Sequence, residues 1–221
     1  MTTNPVVKSA KRGPYAKSKQ RKESIVKAAH EVFAAHGYRG GSLQDVADKV
    51  GMSQTSLLHY FPAKSDLLLA VLDWRDRISG SGSGQGSVSV PGSGSTEGLG
   101  EAREPEEALV DAVIRQASFN ETIPGVIELY TVLCAESLTE NHPGLGYFTE
   151  RYERLRGGYA RKFSVLAGQG RLRDGVDPAR AAANLIALWD GIQTQWLMAP
   201  ESIDMAACLR DYLQLVVLPE G

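Results

Sequence analysis

The sequence predicts an all-α protein: an N-terminal three-helix domain built around a helix-turn-helix, then a larger C-terminal helical domain. Apolar residues recur at the i, i+3, i+4, i+7 spacing of helices in segment after segment. Ser, Asp or Pro stands ahead of most of these stripes and Gly behind many of them, which are helix start and stop signals. Charge is lopsided: residues 1–60 hold ten Lys/Arg against four Asp/Glu, so with −2 for the whole chain the remainder carries −8. A basic head on an acidic body marks a polyanion partner at one end only.

Length and composition set outer bounds. With 221 residues and 43% hydrophobic content the chain can bury a sizeable core in one or two domains. No apolar run approaches the ~20 residues of a membrane span, and the basic N-terminus lacks the apolar stretch of a secretion signal, so a cytoplasmic location without membrane attachment is expected. Cys134 and Cys208 lie inside apolar helical patterns and read as buried free thiols. His30, His36, His59 and His142 share no ligand spacing with them, so neither a metal nor another cofactor is expected. The chain shows no Ser/His/Asp set and no phosphate-cradling glycine loop, which argues against an enzyme.

Residues 1–17 hold Lys8, Lys11, Arg12 and Lys17 without apolar periodicity and read as a disordered basic arm. Arg12 is its candidate for a minor-groove contact; a solvated tail is the plain alternative. The three-helix domain spans 18–62. Ile25, Ala28, Ala29, Val32 and Phe33 stripe the first helix, with Gly37 as its stop. Ser42 caps the second, Asp45 completes a capping box, and Leu43, Val46, Ala47 and Val50 make its apolar face before Gly51 ends it. Ser53 caps the third. There Leu57, Tyr60 and Phe61 turn inward, while Gln54, Thr55, Leu58 and His59 share the opposite face. Such a face can lay amide, hydroxyl and imidazole tips against base edges in a major groove, or simply be solvated.

A connecting helix is expected over 63–78, with an apolar stripe too broad for the head alone. Residues 79–103 are rich in Gly and Ser and read as a flexible linker. The C-terminal domain takes 104–221. Pro105 opens its first helix and Pro124 its second, which is apolar almost all round through Leu138 and should run through the centre. A long charged helix from Leu145 to Leu166 offers a Glu150–Arg154 surface pair. Asp177-Pro178 begins the next, and Ser202 or Asp204 the last. These last two are apolar over more than a core-facing stripe, as an intermolecular four-helix bundle requires.

Two motifs in fixed order frame the turn: Ile25-x-x-Ala28-Ala29-x-x-x-Phe33-x-x-x-Gly37-Tyr38 ahead, and His59-Tyr60-Phe61-x-x-Lys64-x-x-Leu67-Leu68 behind. With the turn between them, residues 19–75 resemble the DNA-binding domain of the tetracycline-repressor (TetR) family of transcriptional regulators. Trp189 to Pro200 also looks like the C-terminal segment of one subgroup of that family. The resemblance implies a homodimer on a double-stranded DNA operator. It also implies that Gln44, Gln54, Thr55, Ser56 and His59 approach bases or nearby phosphates, while Ser42, Tyr60 and Lys64 hold the backbone. Leu58 departs from the family's frequent tyrosine, exchanging a phosphate contact for an apolar touch on a thymine methyl.

One helix-turn-helix reads too few base pairs for useful specificity, so two-fold symmetry over a palindrome is required. The expected mechanism is repression relieved when a small-molecule effector enters the C-terminal domain and tilts the connecting helix. Tyr130, Cys134, Phe148, Tyr152, Trp189, Gln193 and Trp196 are the candidate lining, each of which also reads singly as core or dimer packing. The rival function is an architectural DNA-binding protein without ligand control, governed almost entirely by salt.

Overall fold

The structure, a computed structural model, describes residues 14–82 and 109–219 of the chain, with side chains over 17–78 and 109–219. The described residues form helices α1 (Pro14–Gly40), α2 (Leu43–Val50), α3 (Gln54–Leu58), α4 (Lys64–Gly82), α5 (Leu109–Glu121), α6 (Pro124–Glu136), α7 (Leu145–Gly168), α8 (Pro178–Met198) and α9 (Met205–Val216). Their only β feature is an isolated antiparallel bridge, Leu172 to Val217. No described helix is long and apolar enough to cross a membrane.

Local chemistry explains the element ends. Ser42 accepts from the Asp45 N–H while the Asp45 carboxylate takes the Ser42 N–H, so the reciprocal capping box is complete. The Ser42 hydroxyl, donating to the Asp45 carboxylate at 2.6 Å, and the Ser42 N–H at 2.9 Å hold the Asp45 carboxyl below its ordinary range. Gly51 closes α2 in the left-handed region at φ 69°, ψ 46°, where a side chain would be strained. Ser53 caps α3, Asp177 caps α8 ahead of Pro178, and Asp204 rather than Ser202 caps α9.

Several expectations change. Helix α1 already begins at Pro14, so the last residues of the expected arm are helical; residues 1–13, Arg12 among them, lie outside the described residues. Gly37 kinks α1 instead of ending it, with φ 69° and ψ 177°, and one more turn follows. Helix α4 continues to Gly82, four residues into the expected linker, whose remainder and the helix start at Pro105 lie outside the described residues. Leu138 is 82% exposed, because α6 ends at Glu136 and leaves it on the following turn. Arg154 turns to Asp76, with Nη2 at 4.0 Å from Oδ2, and makes no ion pair with Glu150.

Two hydrophobic cores organise the molecule. The first joins the head to the body: Ile25, Phe33, Val46, Leu57, Leu67 and Leu68 pack in one cluster with Leu129, Tyr130, Leu133 and Phe148. The second gathers α5, the end of α7, α8 and α9 around Phe163, Leu185, Met205 and Leu209, and includes Ile127. Helix α6 therefore serves both cores. That is the physical reason it is apolar almost all round, since each face removes its side chains from water against a different partner.

Head and body are also clamped by polar groups. The kink at Gly37 frees the N–H groups of Tyr38 and Arg39 from the helical ladder, and both donate to the Glu136 carboxylate, at 2.5 and 2.6 Å. Arg39 Nη2 donates to the Glu140 carbonyl at 3.0 Å. His30 Nε2 lies 3.2 Å from the Gly125 carbonyl, the ring tilted against Trp74 with centres 4.9 Å apart.

Candidate nucleic-acid interface and effector cluster

The tight α2-turn-α3 unit rests on buried Val46, Ala47 and Leu57, and its outer side is polar. Gln54, Thr55 and His59 are exposed, and among the described residues their side chains find no hydrogen-bond partner. The other candidates are engaged. Ser42 is bound up in its capping box, Gln44 Nε2 donates to Asp48 at 2.6 Å, and Ser56 shares a hydroxyl contact of 2.9 Å with Ser53. Leu58 is half-buried, and Tyr60 is half-buried against the first core. Lys64 Nζ sits 4.6 Å from the centre of the Tyr38 ring and donates to the Arg39 carbonyl at 3.4 Å; partial burial lowers its pKa.

In the body, four of the seven candidate lining residues come together. Cys134 Sγ lies 3.3 Å from the Tyr152 hydroxyl, and the Tyr130 and Phe148 rings meet tilted by 60°, their centres 5.5 Å apart. Tyr152 donates to Asp190 at 2.6 Å. Gln193 is buried nearby on α8 and donates to Thr131 at 3.1 Å. Trp189 and Trp196 instead pack with the second core. Burial raises the pKa of Tyr130, Cys134, Tyr152 and Asp190 alike, which keeps the phenols and the thiol protonated.

The sequence reading missed the charged half of this cluster. Arg75 on α4 is 3% exposed and lies flat against Tyr130, 4.1 Å from the ring centre, with Arg151 of α7 at 5.3 Å. Asp76 binds Arg75 at 3.0 Å, Arg151 at 2.8 Å and the Tyr147 hydroxyl at 2.8 Å. This carboxylate thus ties α4, the helix that carries the head, to α7. One signal was available: Arg75 stands seven residues after Leu68 and three after Leu72, so it continues their buried stripe. Tyr147, Arg151 and Asp190 lie on other helices and left no such trace.

Comparison with known proteins matches both halves of the chain. The profile described as "Bacterial regulatory proteins, tetR family" covers residues 25–71, and that of "BetI-type transcriptional repressor, C-terminal" covers 105–217. The HTH-type transcriptional regulator RutR of Escherichia coli is 39% identical over 72 residues, which span 33% of each protein. TtgR of Pseudomonas putida, another HTH-type transcriptional regulator, is 22% identical over 203 residues, 85% of each chain. In fold, the chain is similar to a transcriptional regulator from Saccharomonospora viridis solved in complex with choline: TM-score 0.70, 21% identity, 91% of this chain and 100% of that one. With its head and its body both matched, the chain belongs to the TetR family of transcriptional regulators.

Proposed function

We propose that the protein is a homodimeric, sequence-specific repressor that leaves a palindromic operator when a small molecule binds among α4, α6, α7 and α8. One observation carries the DNA half of this reading. Gln54, Thr55 and His59 form an exposed, internally unbonded polar face on a helix whose position is fixed by the Ser53 cap and by buried Leu57. Side chains held in place but not satisfied within the protein suit base edges, which supply the missing partners. Ser42, Ser56, Tyr60 and Lys64 are better suited to phosphates, since engaged groups on the rim position the head without reading sequence.

The outer face of α8 supports the dimer. Asn184, Ala187, Gly191, Gln195 and Met198 are exposed at spacings of three and four, so small side chains line the middle of one face and Met198 stands 80% exposed at its end. Small residues allow close helix approach. Leu215 on α9 is 69% exposed and adds apolar surface that a second copy would cover.

Release follows from the Asp76 tie. An effector among Tyr130, Cys134, Phe148 and Tyr152 would press on Arg75 and Arg151, shift α4, and move the two heads off adjacent grooves ~34 Å apart. The choline bound to the Saccharomonospora viridis regulator supports ligand control of this fold. A cytoplasmic location fits DNA as the partner. The test is fluorescence anisotropy with the chain's own upstream duplex and a scrambled duplex at one salt concentration. We expect at least a ~10³-fold preference for the first; equal affinities would establish the architectural reading instead.

A further inference from the structure

We infer that the cluster between α4, α6, α7 and α8 is an anion site, and that the effector carries a carboxylate or equivalent oxyanion on a small apolar body. This rests on the ligand-release reading above and names the class of ligand. The reasoning is a matter of charge balance. Arg75, Arg151 and Arg154 converge with side-chain exposures of 4%, 17% and 34%, and among the described residues Asp76 is the one carboxylate that pairs with them. Both of its oxygens are occupied. Oδ1 takes Arg75 and Arg151, while Oδ2 takes the Tyr147 hydroxyl and faces Arg154.

The shortfall shows in individual atoms. Arg75 Nε and Arg151 Nε are both buried without a hydrogen-bond partner. A guanidinium cannot shed its proton to escape burial, so this surplus of positive charge persists at any working pH. The Tyr130 ring, 4.1 and 5.3 Å from the two guanidiniums, offsets only part of it. Asp190 offsets only part of the balance: it feels the charge of both Arg151 and Arg75, but it accepts its hydrogen bond from Tyr152 and makes no direct ion pair with either arginine among the described residues. What fits is an acceptor with two oxygens in one plane, which matches the forked donors of arginine. Tyr130 and Phe148, ring centres 5.5 Å apart, supply an apolar surface for the rest of the molecule. A carboxylate arriving here competes with Asp76 for Arg75 and Arg151, and so loosens the contact that holds α4 to α7.

The test uses the full-length protein at constant ionic strength. Thermal shift and calorimetric titration would compare acetate, hexanoate, benzoate and salicylate with benzamide, benzylamine and benzyltrimethylammonium. At least one carboxylate should raise Tm in a dose-dependent way while the size-matched neutral and cationic probes do not. Arg151→Gln should weaken that carboxylate about tenfold or more. Should Arg151→Gln fail to fold, Asp190→Asn decides: it should leave carboxylate affinity unchanged or raise it severalfold. The inference is overturned if no carboxylate shifts Tm, or if a cationic probe binds and loses its affinity in Asp190→Asn. Operator binding is scored separately. Carboxylate binding without operator release would keep the anion site and refute ligand control, whereas release by a neutral or cationic probe alone would do the reverse.

Discussion

Gly37 shows how one residue joins two domains. Its φ of 69° with ψ of 177° lies in a region that is essentially glycine's alone, and a Cβ there would meet Glu136 Oε2 at 2.8 Å. Gly37→Ala should therefore cost about 1–3 kcal/mol in urea unfolding, through backbone strain and through displacement of the carboxylate that receives Tyr38 and Arg39. An unchanged midpoint would show that the clamp contributes nothing. The histidines give a pH dependence with a definite sign. Burial lowers the pKa of His30 and of His142 below the ordinary 6.5. The unfolded chain then takes up these protons first, so stability is full above pH 6.5 and declines as pH falls through the folded values. Urea midpoints should drop between pH 7.5 and 5.5, and His30→Gln, which keeps an amide donor for Gly125, should reduce that drop.

At the scale of elements, helix ends were legible because they are set within a few residues. The Ser42–Asp45 box, the Ser53 cap and the left-handed Gly51 all appear where local chemistry demands them. The kink at Gly37 was not legible, because its partner Glu136 is 98 residues away from Tyr38 in sequence. The candidate lining was legible only in part for the same reason. Aromatic residues at helical spacing signal burial, but not which of two cores receives them, so Trp196 went to the second. The charged residues are brought together only by four helices meeting. For α3 the expectation is direct. Gln54→Ala, Thr55→Ala and His59→Ala should each cost about 1–3 kcal/mol of operator affinity, with stability within ~0.5 kcal/mol of the parent. Ser53→Ala should instead cost ~1 kcal/mol of stability. A variant in the first group that loses stability as much as affinity would assign its side chain to packing.

For the whole molecule, the shared first core makes head and body a connected unit, since Leu129, Leu133 and Phe148 of the body pack with Phe33 and Leu57 of the head and Leu68 of α4. Movement of α6 or α7 therefore has a packed route to α3. Two-fold symmetry is the remaining requirement, and the exposed small-residue face of α8 is where it can be disrupted without touching either core. Gly191→Arg or Ala187→Arg should yield a folded monomer by light scattering, with operator binding reduced to the level of scrambled DNA. A variant that stays dimeric would move the interface elsewhere. The most direct test of the central claim is selection of bound duplexes from a random pool by the full-length protein. The account predicts a recovered palindrome whose half-sites lie about one helical turn, or a multiple of it, apart, and which is lost when Gln54, Thr55 and His59 are all replaced by alanine. Recovery of duplexes with no common sequence, or the same palindrome from the triple variant, would contradict it.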